Sequence, residues 1–260
     1  MTWIFPERER VPSPHRYYRR RALGFPESVT STLLILHYAV DGDQSADDDL
    51  DYNFIPRERQ HDCMDVARSF QRPSRKASTH FVAGRDGSKV QCVPLDDGCW
   101  GAGDGGLSRF PDEIPSLLHS VPFRSRYVNL ISTQIELCNV GYDVEKFRIP
   151  KEERITATHH AMNKPREWEM FTDYQYRTLE LIVAMLRMAQ PTLRWVCGHE
   201  DVTNRHTMAK KYGGKFDPGP AFEWHRIDWE RYGFSRVQYD FETRSFLLVT
   251  EQDTKPIEVT

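Results

Sequence analysis

The chain has 260 residues, 39% of them hydrophobic and 28% charged, with a formal net charge of −3. That length and apolar content suffice for a full core within one domain. The slightly acidic balance argues against a nucleic-acid partner, since binding phosphates needs a basic excess, and no stretch approaches the length of a membrane span.

The N-terminus, Met1 to Arg8, lacks a basic start followed by an apolar core, so no Sec signal is visible. The basic cluster Arg16-Tyr17-Tyr18-Arg19-Arg20-Arg21 reads as part of a solvated N-terminal arm over 1–30. Leu33-Leu34-Ile35-Leu36-His37-Tyr38 then reads as a buried strand that ends in a histidine. Such a histidine projects at a sheet edge, where sites form. The acidic stretch Asp41 to Asp51 fails the calcium-loop pattern and is expected to be a solvated loop at the rim of that site. Met64, Val66, Ala67 and Phe70 recur at helical spacing, which predicts a short helix over Gln60 to Phe70.

Two alternating runs, Thr79 to Gly84 and Ser88 to Val93, flank Asp86-Gly87 and predict a hairpin with His80 on its first strand. Gly101 to Pro122 is rich in Gly and Pro; so long a connection inside a compact domain points to substrate binding. Val128 to Leu137 reads as a central strand carrying Glu136. The pair His159-His160 falls in a polar insert and reads as surface. Thr172 with Gln175 forms a capping-box pattern, and Leu179, Ile182, Val183, Leu186 and Ala189 continue it as a helix until Pro191. Leu193 to Cys197 follows as a strand delivering His199, and Val237 to Thr250 alternates as a C-terminal hairpin. The expected fold is α/β, a single domain with a central mixed β-sheet flanked by helices. The expected boundaries are an arm over 1–30, the main domain with long inserted loops over 31–235, and a hairpin and tail over 236–260.

The chemistry concentrates in Gly198-His199-Glu200-Asp201 and Lys215-Phe216-Asp217-Pro218-Gly219-Pro220. Pro-Gly-Pro stiffens the backbone just after a carboxylate, which suits a metal ligand held at a set position. With His37, the set is two imidazoles and one carboxylate, as a catalytic zinc takes while leaving its fourth position for water. The five cysteines contain no CxxC pair and leave one over, which favours free thiols in a reduced compartment.

In order, Ile35-Leu36-His37-Tyr38, Ser78-Thr79-His80-Phe81 running into Arg85-Asp86-Gly87, Trp100-Gly101-Ala102-Gly103, Ser132-Thr133-Gln134-Ile135-Glu136-Leu137 and the two motifs above resemble the zinc-dependent N-acetylmuramoyl-L-alanine amidases. That superfamily (amidase_2) includes the peptidoglycan recognition proteins, and the resemblance covers about residues 31 to 224. It implies one catalytic Zn2+ held by His37, His199 and Asp217, with Glu136 and Lys215 as catalytic residues. It also implies substrate contacts from Trp100 and His80, the latter in the core or behind the ligands. The implied reaction is hydrolysis of the amide between N-acetylmuramic acid and L-alanine. Peptidoglycan or muropeptides would be its partners, in cell-wall degradation or turnover.

The chain departs from the family pattern in three places. Gly101 stands where a histidine is common, Gln134 where a glycine is usual, and a tyrosine found near Thr79 in some members is missing. None of these falls on a residue of the ligand set that the resemblance implies. The expected protein is a monomer, with any export or immunity partner left open. It would be made in the cytoplasm without a Sec signal, acting there on recycled fragments or at the wall after non-Sec export or lysis. Two alternatives stand beside this reading. One is a non-catalytic peptidoglycan-binding protein, which would be expected to lack a ligand. The other is a cysteine peptidase, for which Cys197 near His199 is the closest pairing.

Overall fold

A computed structural model describes residues 2–17, 31–39, 62–73, 77–102, 127–160, 162, 164–202, 216–240 and 245–249. The acidic stretch after His37, most of the Gly- and Pro-rich connection and Lys215 lie outside the described residues. The described strands, in chain order, are β1 (Arg16–Tyr17), β2 (Leu33–Ala39), β3 (Phe81–Ala83), β4 (Lys89–Gln91), β5 (Gly98–Cys99) and β6 (Ser132–Cys138). They continue with β7 (Arg154–Ala157), β8 (Arg166–Glu169), β9 (Trp195–Gly198), β10 (Ser235–Asp240) and β11 (Ser245–Leu248). The α-helices are α1 (Cys63–Ser69), α2 (Tyr127–Ile131), α3 (Asp173–Ala189) and α4 (His199–Val202).

A seven-stranded sheet in the order β11-β10-β9-β2-β6-β3-β4 forms the centre. Its five inner strands run parallel and each edge closes with an antiparallel partner, so the sheet is mixed, as expected. The apolar run of β2 puts it in the middle, where both faces are covered. On one face Leu34, Leu36, Ile135 and Leu137 join Leu179, Ile182, Val183 and Leu186 of α3 in the largest core cluster. Each such side chain, fully buried, contributes about 1.5–3 kcal/mol. The opposite face carries Leu33, Ile35 and Cys197 in one smaller cluster and Ala39, Val82 and Cys138 in another.

Local signals in the sequence act as read. Thr172 accepts from the Gln175 N–H while the Gln175 side chain accepts from Thr172 N–H, which completes the capping box of α3. Asp62, which the sequence reading did not single out, caps α1 by accepting from Met64 and Asp65 N–H, so the helix starts at Cys63 and not at Gln60. Gly87, at φ 88°, turns β3 into β4, a conformation costly for any residue with a Cβ.

Three expectations change. The run from Val128 begins as helix α2, with Val128, Leu130 and Ile131 buried beneath the sheet, and only from Ser132 is it strand. The arm is not solvated over its described part: Phe5 is 1% exposed and packs against Phe81, ring centroids 5.2 Å apart and tilted by 58°. Arg16, at the head of the basic cluster, pairs with Asp97 at 3.1 Å and lies in a strand against β5. The polar insert contains the antiparallel hairpin β7–β8, anchored by Trp168, which is fully buried and donates its indole N–H to the Ala157 carbonyl at 3.1 Å.

Candidate metal centre

The parallel register assembles the site. His37 pairs with Glu136 across β2 and β6, and Leu36 pairs with Gly198, so His199 follows β9 at the level of His37. Register partners in a parallel sheet share a face, with strands about 4.8 Å apart. His199, His37 and Glu136 therefore form one row at the carboxyl ends of three neighbouring strands, the usual place for a site in an open α/β sheet. All three are buried.

Asp217 comes to this row from a loop. Its carbonyl accepts from the Glu200 N–H at 3.1 Å, tying the loop to the first turn of α4. The close approach requires Gly198, since a Cβ there would lie 2.7 Å from Pro218 Cδ. The Asp217–Pro218 bond is cis, and Gly219 at φ 76° packs against Trp168. Asp201 turns its carboxylate back to accept from Gly198 N–H at 2.9 Å, fixing the chain just before His199.

The Nδ1 atoms of His37 and His199 are 2.9 Å apart. Asp217 Oδ2 lies 2.9 Å from His199 Nδ1 and 3.2 Å from His37 Nδ1. Three lone-pair atoms that converge in this way repel one another unless a proton or a cation sits among them. A tetrahedral ion with ligand bonds of about 2.0–2.1 Å would set its ligands roughly 3.3 Å apart, close to the spacing observed. Two imidazoles and a carboxylate thus fit a divalent cation with one position open.

The other site residues fall differently. Trp100 is half-buried, with its backbone N–H donating to Ser78 Oγ at 2.9 Å. His80 is fully buried: its Nδ1 accepts from Gln134 N–H at 3.2 Å and its Nε2 donates to the Asp97 carbonyl at 3.0 Å. A ring held this way ties β6 to the segment before β5, with both nitrogens engaged and no exposed surface.

The departures at 101 and 134 turn out to be one feature. A Cβ on Gly101 would meet Gln134 Oε1 at 2.1 Å, so the glutamine side chain fills the space that a larger residue at 101 would need. Gln134 Nε2 donates to Asn129 Oδ1 at 3.0 Å and to Ser132 Oγ at 2.9 Å, which holds it there.

His159 and Glu200 were missed by the sequence reading. His159 is 2% exposed, not on the surface, and meets the Glu200 carboxylate through Nε2. His160 beside it is exposed, as expected. None of the five cysteines is in a disulfide, and all are buried. Burial pushes the thiol of Cys63 up to about 12 and raises those of Cys92, Cys138 and Cys197 well above their ordinary value. A protonated, buried thiol is a poor nucleophile, which removes the basis for a cysteine peptidase at Cys197.

A sequence profile of the N-acetylmuramoyl-L-alanine amidases (Amidase_2) matches residues 28–220. A search of curated proteins finds no match. Among solved structures, the fold is similar to a selenomethionine derivative of AmpD, at 22% identity and a TM-score of 0.44, covering 84% of this chain and 91% of that one. It is also similar to AmiD from E. coli, an N-acetylmuramyl-L-alanine amidase in complex with anhydro-N-acetylmuramic acid-L-Ala-D-γ-Glu-L-Lys. There the identity is 16% and the TM-score 0.45, covering 85% of this chain and 66% of that one. A mutant endolysin from Bacillus subtilis matches at 16% identity and a TM-score of 0.36, covering 79% and 92% respectively. These structural likenesses are too distant to bear on the reaction.

Proposed function

The chain belongs to the Amidase_2 family of N-acetylmuramoyl-L-alanine amidases, and from that premise we propose that it is a zinc-dependent hydrolase of peptidoglycan. The bond cut is the amide joining the lactyl group of N-acetylmuramic acid to the L-alanine of the stem peptide. The observation that carries this reading is the buried triangle of His37 Nδ1, His199 Nδ1 and Asp217 Oδ2 at the carboxyl ends of the parallel strands. A non-catalytic binding protein would have no need to keep all three.

His37, His199 and Asp217 would hold the ion. When bound, zinc supplies a Lewis acid for the scissile carbonyl and lowers the pKa of a coordinated water. Glu136, next to His37 on the same sheet face, is the group to take a proton from the attacking water and return it to the leaving L-alanine amine. Glu136 is 7% exposed, so its carboxylate works in a water-poor surrounding where a placed charge counts for more than in bulk solvent. Lys215, two residues before Asp217, is the cation for the developing oxyanion. Trp100 is the residue for packing against the substrate. The protein is read as a monomer acting on wall polymer or its fragments.

The test is mass spectrometry of the products released from peptidoglycan and from soluble muropeptides by the purified protein. Free stem peptides beginning at L-alanine, lost with a chelator and restored by zinc, are expected. No cleavage of either substrate by zinc-loaded protein would replace this reading with the binding protein.

A further inference from the structure

A second cluster of side chains able to ligate a metal ion lies beside the first. Trp168 pins the end of β7, and its indole lies 6.0 Å from the His159 ring, nearly parallel at 30°. The same ring meets Phe216 edge-on at 5.1 Å. His159 is thus wedged between a core tryptophan and the residue preceding Asp217. Its carbonyl accepts from Met162 N–H at 2.8 Å, closing a turn that carries His160 on the outside. The two imidazoles stack at 4.2 Å and 31°, so these adjacent residues point to one side instead of opposite sides. Glu200, in the first turn of α4, faces them with a carboxylate that is 11% exposed.

The ligand atoms of His159, His160 and Glu200 all lie within 4.8 Å of one another. We propose that these three residues form a second divalent-cation site, with its own ligands. It would be coupled to the first through the His199–Glu200 and Phe216–Asp217 peptide bonds. Two imidazoles and one carboxylate are the donors of the first site too, and nitrogen-rich sets of this kind select zinc-like ions over magnesium or calcium. Burial differs between the clusters. The first has three buried ligands, whereas the second has one buried, one half-buried and one exposed, so the second ion enters from solvent at His160. Once bound, it clamps the β7–β8 insert onto α4 and stiffens the wall of the first site from behind. Nothing in this assignment depends on the chain being a hydrolase.

The experiment is equilibrium dialysis of metal-stripped protein against zinc alone, with metal content read by elemental analysis. About two equivalents are expected in the wild type and about one in His160→Ala, which changes an exposed residue and so leaves folding intact. Asp217→Ala should also bind about one, retained at the second site and lost on adding His160→Ala. The thermal midpoint of Asp217→Ala should rise with excess zinc, and that of the double variant should not. One equivalent in both wild type and His160→Ala would overturn the proposal, leaving His159 and Glu200 a plain hydrogen-bonded pair. Two equivalents in His160→Ala would overturn it as well. If Asp217→Ala fails to fold, the comparison of wild type with His160→Ala decides alone.

Discussion

The two faces of β2 and β6 contrast sharply in composition although they are made by the same fourteen residues of backbone, Leu33–Ala39 and Ser132–Cys138. Toward α3 the strands present Leu34, Leu36, Ile135 and Leu137 in the main core, with Tyr38 packed against it and one buried hydroxyl, Thr133, that donates to Gln190 Oε1 at 2.7 Å. Toward the other side they present Leu33, Ile35 and His37 from one strand and Ser132, Gln134 and Glu136 from the next. Alternation along a strand lets one element separate adhesion from chemistry, residue by residue. The polar face is still buried, and part of it is matched internally: Gln134 Nε2 donates to Asn129 and Ser132.

This contrast is best broken by one substitution on each face. On the proposed reaction, Glu136→Gln should lower kcat by about 10²–10⁴-fold with metal content unchanged, since it removes the proposed proton acceptor and leaves His37, His199 and Asp217 alone. Leu36→Ala, one position from His37 but facing α3, should cost about 2–5 kcal/mol of stability. Its activity per folded molecule should persist. Kinetics and denaturant unfolding on both variants check the separation, and loss of both properties in either would mean the faces are not independent.

A smaller effect sharpens the account of the polar face. Gly101→Ala should destabilise by about 1–3 kcal/mol, because the added carbon collides with Gln134 Oε1. Gln134→Gly in the same chain should recover part of that loss, a coupling that a double-mutant cycle by chemical unfolding would measure. Additive effects would show that the two departures from the family pattern are unrelated. The smallest effect belongs to the α3 face. Thr172→Ala should remove the cap and cost about 1 kcal/mol, lowering the thermal midpoint by roughly 2–4 °C without altering zinc affinity.

Much of this molecule was determined by the sequence alone, wherever the signal is local. The capping box at Thr172, the Asp86-Gly87 hairpin, the apolar run of β2 and the helical spacing of α3 each depend on residues within a few positions of one another. The motifs around His37, His199 and Asp217 named three residues that the fold indeed brings within 3.2 Å. Only tertiary structure decided the rest. His159 meets Glu200 across 41 residues of sequence, and Arg16 finds Asp97 through the β1–β5 pairing. Gly101 makes room for Gln134 in the same way. Contacts of this kind leave no periodicity in the chain, because each partner's local pattern is ordinary and only packing joins them.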